Sequence, residues 1–539
     1  LSRGTPAAEI GDVHQIENLI ALFALVAALV VIAKRLELPY PVVLVLAGLA
    51  LSFIPHLPTV KLNPDLVFFF FLPLLIYPAA LFTSWRDFRR NLRPILLLAI
   101  GLVLVTTTTV AWVAHTLVPG IPWAAAFALG AIVSPPDAIA AAAVIRRLGV
   151  PRRIEVILEG ESLVNDATAL VALQFAVAAL MTGTFSPAHA TLLFFWVAIG
   201  GIGFGLLLGV VMKWIQRHLN DPAVQITLSL LTPFAAYLPA EHMHVSGVLA
   251  VVAAGVYLGW HSPVTIDART RLQAQAFWEM IVFLLNGFVF ITIGLQLPDI
   301  LGAIRDEPFS RLVIDGAAVS AAAVIVRIAW VIPATYLPRL ASRRLRARDP
   351  MPSWKYVALT SWSGMRGVIS LAAAFALPFT LNDGTAFPAR SYILFLAFCV
   401  ILTTLVLQGL TLPTLIRKLG IKDDGLTDEE ERSARLEANK AALEFLETAS
   451  SREDVPAEVV NRLHAEYDDR LQQLNICAAT LENRSGEVVT PHYQRLQQQA
   501  LDVERHTIIR LRNEHVINDR ALRRIQRDLD LAEARLAGA

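Results

Sequence analysis

The sequence predicts an all-α, polytopic membrane protein of about thirteen transmembrane helices with a helical cytoplasmic domain after them. Three observations carry that expectation. The 539 residues are 55% apolar and only 17% charged, where a soluble chain carries about a quarter charged residues. The deficit is uneven: from Asn18 to Leu419 apolar blocks alternate with short polar connections, whereas from Ile421 onward the chain is charged, Gln-rich and free of long apolar runs. Finally, the basic residues gather in every second connection, as they do in cytoplasmic loops. The net charge of +1 averages two unlike regions and so says nothing useful about partners, and no nucleic-acid partner is expected.

Residues 1–17 contain Glu9, Asp12 and Glu17 without a basic stretch, so they read as an extracytoplasmic segment rather than a cleaved signal peptide. Thirteen apolar blocks follow, at about 18–33, 40–54, 65–82, 94–117, 122–145, 155–181, 189–217, 224–239, 246–260, 274–297, 312–338, 354–380 and 391–417. Odd-numbered blocks are followed by basic clusters such as Lys34 and Arg35, or Arg86, Arg89, Arg90 and Arg93. The same holds for Arg146, Arg147, Arg152 and Arg153, for Lys213 and Arg217, and for Arg269 and Arg271. Arg339, Arg343, Arg344, Arg346, Arg348 and Lys355 follow block eleven, and Arg417, Lys418 and Lys422 follow block thirteen. Even-numbered blocks are followed by Lys61, by Arg305 and Arg311, by Arg390, or by no basic residue. This alternation puts the N-terminus outside and the C-terminal region in the cytoplasm. Two cysteines, Cys399 in an apolar block and Cys477 in the polar tail, make no disulfide framework.

A charge at mid-membrane costs roughly 2.5–3.5 kcal/mol on insertion scales, so the spans that carry one are informative. Block five holds Ser134-Pro135-Pro136-Asp137, and block six holds Glu161-Ser162-Leu163-Val164-Asn165-Asp166. Block eleven places Arg327 in an apolar run, and block twelve holds Ser363-Gly364-Met365-Arg366-Gly367. Glu279 and Asn286, in block ten, fall nearer an expected helix end. At about 100° per residue, Ser162, Asn165 and Asp166 share one arc of block six, with Glu161 at its edge. That face offers the hydroxyl, amide and carboxylate oxygens that hard cations select. The plainer alternative is a polar cluster that holds helices together, but such adhesion rarely needs several ionisable groups in adjacent spans.

Blocks five and twelve are also broken at their centres. Pro135-Pro136 removes two successive backbone donors, and Gly364 and Gly367 lower helix propensity around Met365-Arg366. Ordinary kinks would account for either block alone. Interrupted spans in two halves of a chain point to the substrate site of a transporter, and irregular backbone at membrane depth survives only inside protein or along a wet cavity. Asp137 and Arg366 are placed to offset the partial charges of the half-helix ends.

Gly160-Glu161-Ser162-Leu163-Val164-Asn165-Asp166-Ala167 resembles the signature of the monovalent cation:proton antiporters, in their Na+/H+ exchanger branch. Ser134-Pro135-Pro136-Asp137-Ala138 and Gly364-Met365-Arg366-Gly367-Val368 match that branch's two other motifs in order, and the likeness covers roughly residues 18–420. The resemblance implies inverted repeats, alternating access and a homodimer in the cell membrane, serving pH homeostasis. It implies that Asp166 carries the ion and the proton, with Asn165 beside it, and that Asp137, Ser162 and the backbone at Pro136 complete the site. Glu161 is implied to pair with a membrane arginine; Arg327 is the favoured partner, leaving Arg366 to steady the broken segment. Asn-Asp rather than Asp-Asp at positions 165 and 166 implies electroneutral exchange. One departure is visible: many relatives carry a glutamate where Leu72-Pro73-Leu74-Leu75-Ile76-Tyr77-Pro78-Ala79 has Pro78. That weakens the choice of Na+ over K+ more than it weakens antiport.

Residues 421–539 are expected to form a regulatory or dimerising helical domain, with periodic stretches at Leu436–Leu446, Leu463–Leu474 and about Tyr493 to Leu536. His464, His492, His506 and His515 are the candidates for a pH-sensing role in this region, although solvated surface histidines are the commoner finding. The rival readings are an ion channel or receptor, and an intramembrane aspartyl protease using Asp137 and Asp166. The latter lacks the Gly-x-Gly-Asp pattern. No enzyme motif and no cofactor-binding loop is recognisable.

Overall fold

The computed structural model describes residues 6–54, 64–137, 141–142, 144–145, 148–183, 187–305, 307–382, 384–450, 456–482, 489–514 and part of 522–533. Lys61, Ala138, Arg146, Arg147 and His515 lie outside them. Among the described residues the chain is helical, with a single isolated bridge between Thr380 and Ala386 and no strand. It folds into two compact units, Leu1–Asp424 and Gly425–Ala539.

The first unit opens with α1 (Pro6–Arg35), which begins well before the apolar block that announces it. α2 (Tyr40–Leu51) and α3 (Val67–Leu81) are short and apolar, and α3 starts with a π-helical stretch over Val67–Phe71. A short amphipathic α4 (Trp85–Arg90) leads into α5 (Leu92–Leu117), which contains a second π-helical stretch over Leu97–Leu102. Then come α6 (Trp123–Val133), α7 (Arg152–Thr182), α8 (Pro187–Arg217), α9 (Pro222–His242) and α10 (Gly247–Thr265). The unit continues with α11 (Ala268–Leu295), α12 (Phe309–Ala341), α13 (Trp354–Trp362), α14 (Val368–Phe375) and α15 (Arg390–Leu419). Eight helices among the described residues are long and apolar enough to cross a bilayer.

Local chemistry sets many boundaries. The Asp221 carboxylate accepts hydrogen bonds from Ala223 and Val224 N–H at 2.8 and 3.2 Å, capping α9. Ser246 Oγ accepts from Leu249 N–H at 3.2 Å and caps α10. α7 stops at Gly183, whose φ of +68° is the left-handed turn that glycine adopts without strain.

Packing divides the first unit into two groups. α5, α6, α7, α12, α14 and α15 pack on one another, and α2, α3, α8, α9, α10 and α11 on one another, with much lighter contact between the groups. Small residues permit the closest crossings: a Cβ added to Gly48 or Gly294 would strike the backbone of the partner helix at the α2–α11 contact. At one end of the first group, Asp349 ties three helix ends together. Its carboxylate accepts from Arg153 at the start of α7 and from Arg339 at the end of α12, both at 2.6 Å. Arg93, at the start of α5, stands at 3.5 Å.

The second unit contains α16 (Leu426–Ser450), α17 (Ala457–Glu482) and α18 (Val489–Asn513). The single long stretch expected from Tyr493 to Leu536 is instead interrupted, because α18 ends at Asn513 and Glu514 lies in a turn. Arg505 then pairs with Asp530 and Glu533 at 2.6 and 2.7 Å, which brings the later residues back alongside α18.

Candidate functional site

Two interrupted spans meet inside the first helix group. α6 ends at Val133 and the backbone runs non-helically through Ser134, Pro135, Pro136 and Asp137. Between α13 and α14, residues Ser363 to Gly367 are likewise unwound. The two breaks are joined directly: the Asp137 backbone N–H donates to the Met365 carbonyl at 2.6 Å. Gly367 makes that approach feasible, since any Cβ there would overlap the Asp137 carboxylate.

α7 runs past this crossing. Its Asn165 Nδ2 donates to the Pro136 carbonyl at 2.9 Å, satisfying an acceptor that the proline pair frees. The other end of the amide, Oδ1, is buried and has no hydrogen-bond partner within the protein. Asp166 follows, 5% exposed, with the Asp137 carboxylate near enough to act on it electrostatically. Ser162 is half-buried one turn earlier. Leu163, Ala167 and Leu170 face away and pack toward Tyr77, Val248 and Trp278. One face of α7 is thus oxygen-rich and the other hydrocarbon.

The two membrane arginines have different partners. Arg327 on α12 forms a two-pronged pair with Glu161, Nη1 to Oε1 at 2.5 Å and Nη2 to Oε2 at 3.0 Å. It also donates to the Thr360 carbonyl at 3.1 Å. Both side chains are sealed from solvent, at 0% and 1% exposure. Arg366 meets backbone instead. Its Nε donates to the Val133 carbonyl at 3.0 Å, Nη2 to the Ala323 carbonyl at 3.4 Å, and Nη1 to the Gly364 carbonyl. Val133 lies at the C-terminal end of α6, where unpaired carbonyls and the negative end of the helix dipole favour a cation.

Some participants have no obvious sequence signal. Thr404 Oγ1 accepts the Arg366 backbone N–H at 3.1 Å, from a π-helical stretch over Thr404–Gln408 inside α15. Asn286 is buried well inside α11 rather than near its end, and neither amide atom has a partner within the protein. Glu279, by contrast, is exposed and accepts from Gln275 at 3.0 Å. Asp315, a carboxylate within block eleven, is buried and accepts the Tyr392 hydroxyl at 2.6 Å. The lone acid in an apolar run was the available signal. Among the described residues no group of three His, Cys, Asp or Glu side chains is arranged to hold a resident metal ion.

The model of the transmembrane sodium/hydrogen exchanger family matches residues 20–418. An uncharacterised Na+/H+ exchanger of Mycobacterium tuberculosis is 37% identical over 98% of each chain. A sodium, potassium, lithium and rubidium/H+ antiporter of Bacillus pumilus is 37% identical over 74% of this chain and 61% of its own. The sodium proton antiporter of Methanocaldococcus jannaschii has a similar fold, with a TM-score of 0.58 at 20% identity, over 73% of this chain and 98% of that one. The chain is a multi-pass membrane protein with a transporter's role, and it belongs to the transmembrane sodium/hydrogen exchanger family.

Proposed function

We propose that the protein exchanges a monovalent cation, Na+ in the first instance, for H+ by alternating access. The observation that carries this reading is the buried Asp166 on the oxygen-rich face of α7, beside the crossing of two unwound spans. A single carboxylate in that position holds a proton or a cation, one at a time, and the competition couples the two flows. Asp137, Ser162, the Asn165 Oδ1 and the carbonyl of Pro136 supply further oxygens as the cation's ligands. A hard cation seeks such a set. One cation against one proton moves no net charge, so the cycle is electroneutral. Movement of the first helix group against the second exposes the site to either side in turn.

Glu161 and Arg327 act as a structural ion pair. Arg366 supports the broken helix, and Arg327 is no proton shuttle, because a guanidinium does not deprotonate in a protein. The protein works as a homodimer in the cell membrane, with its N-terminus outside and residues 421–539 as a regulatory or dimerising cytoplasmic domain. K+ is the second candidate cation, favoured by the Bacillus pumilus relative that takes several alkali ions and by Pro78 at a position where many relatives carry a glutamate.

The test is a fluorescence-dequenching exchange assay in proteoliposomes, run with each alkali cation over a pH series. Asp166→Asn should abolish cation-driven proton flux while the protein still elutes as a folded species. Flux in the wild type should be indifferent to an imposed membrane potential. Normal exchange by Asp166→Asn removes that residue from the mechanism, and strong acceleration by a potential means that more than one charge moves per cycle.

A further inference from the structure

Away from the site, a long apolar groove of about 600 Å³ opens between the two helix groups. One wall comes from α7, through Val164, Ala167 and Val171, on the side of that helix away from its polar face; the other comes from α8 and α10. Along α10 the lining runs from Ser246 to Trp260, about 21 Å at 1.5 Å per residue. That exceeds the roughly 15 Å of hydrocarbon in one leaflet, so the groove accepts an acyl chain along its whole length.

One end of the groove is chemically distinct. Trp85, Tyr257 and Trp260 line it, and Gly259 packs there on the Leu81 backbone, which places the end of α10 beside the start of α4. Tryptophan and tyrosine in such positions mark the level of lipid headgroups. Cations flank this end on both walls. Arg89 and Arg90 are exposed on α4, the helix whose Trp85 and Phe88 form the lining. Opposite, the Lys213 ammonium lies over the Tyr257 ring, 5.7 Å from its centroid. The nearby acid, Asp87, is engaged by Arg152 at 2.7 Å. A hydrocarbon slot with an aromatic collar and basic groups on two sides matches one ligand chemistry, a phosphate ester with a long acyl chain.

We infer that this groove is a binding site for an anionic glycerophospholipid, its acyl chain against α7 and α10 and its phosphate among Arg89, Arg90 and Lys213. The lipid lies between the helix group that carries Asp166 and the group that does not. On the exchange reading proposed above, it is placed to influence their relative movement. Binding itself does not depend on that reading.

Native mass spectrometry of the detergent-solubilised full chain tests the site, titrating phosphatidylglycerol against phosphatidylcholine with identical acyl chains. The wild type should retain one phosphatidylglycerol in preference to phosphatidylcholine. Arg89→Gln and Arg90→Gln should each weaken the anionic lipid about fivefold and leave the zwitterionic one unchanged. Ala253→Trp and Ala198→Phe fill the groove from α10 and α8, and either should weaken both lipids roughly tenfold, the effect of displacing about two buried methylenes. Asp166→Asn should bind lipid as the wild type does, which separates failure of this site from failure of the exchange mechanism. Equal retention of the two lipids by the wild type overturns the proposal. So does unchanged binding in both groove-filling variants, or a shift in oligomeric state on filling the groove, which would assign it to a contact between copies of the chain.

Discussion

The Arg327–Glu161 pair and the cluster around Asp349 are built from the same two chemical groups, yet they belong to different environments. The first lies in the middle of two spans with both partners sealed from solvent. The second lies at the ends of three helices, and the Asp349 side chain remains 21% exposed. In the interior, water cannot replace a lost partner, so the two groups are needed together. At the helix ends, three arginines share one carboxylate, and although Arg339 is buried, solvent reaches Asp349, Arg153 and Arg93. Depth, rather than the number of contacts, decides how much each contact matters.

The largest effect should follow from separating the interior pair. Arg327→Met leaves Glu161 charged and unpaired, a loss of about 3–5 kcal/mol, which should appear as a collapse in yield or in melting temperature of the purified protein. Glu161→Met together with Arg327→Met should recover much of it. A single variant that melts like the wild type would break the comparison, since the pair would then not be sealed.

A smaller effect is expected at Asp349. Burial pushes its carboxyl up, but the Arg153 hydrogen bond and the charges of Arg153, Arg339 and Arg93 outweigh that and hold it below the usual carboxylate range. A lowered folded value means that the cluster contributes fully above the ordinary value of about 3.9 and loses its contribution as the pH falls through the folded one. Asp349→Asn should therefore cost about 1 kcal/mol or less. Melting curves should show the same gap to wild type between about pH 5 and 8, narrowing only in stronger acid. A gap that varies through the neutral range would show that another group titrates with the cluster. The smallest effect belongs to the second unit, where Arg505 pairs with Asp530 and Glu533 on the surface. Arg505→Gln should shift melting slightly at low salt and less at about 1 M salt, where the screening length falls to about 3 Å.

How far the sequence revealed these features follows from their physics. The unwound centres were legible because proline and glycine act locally: Pro135-Pro136 removes donors wherever it stands. The polar face of α7 was legible from periodicity alone. The crossing of the breaks was not, since the Asp137–Met365 hydrogen bond joins residues far apart in the chain. Choosing between Arg327 and Arg366 as the partner of Glu161 was a tertiary question as well, because Arg366 is satisfied by carbonyls and carbonyls leave no trace in a sequence. The π-helical stretches at Val67–Phe71, Leu97–Leu102 and Thr404–Gln408 have no compositional mark either. Asn286 was misjudged for a simpler reason: the apolar run does not fix where α11 begins.

The hydrogen bond between the two unwound strands works as a rivet. With Asp137 fastened to Met365, Pro136 to Asn165 and Val133 to Arg366, neither strand can shift without carrying the other and α7 along. On the exchange mechanism proposed above, a cage carried as one piece would show an arriving ion the same oxygens whichever mouth is open. Its appetite for the ion would then be equal on both faces, and the sense of transport would be left to the gradients outside it.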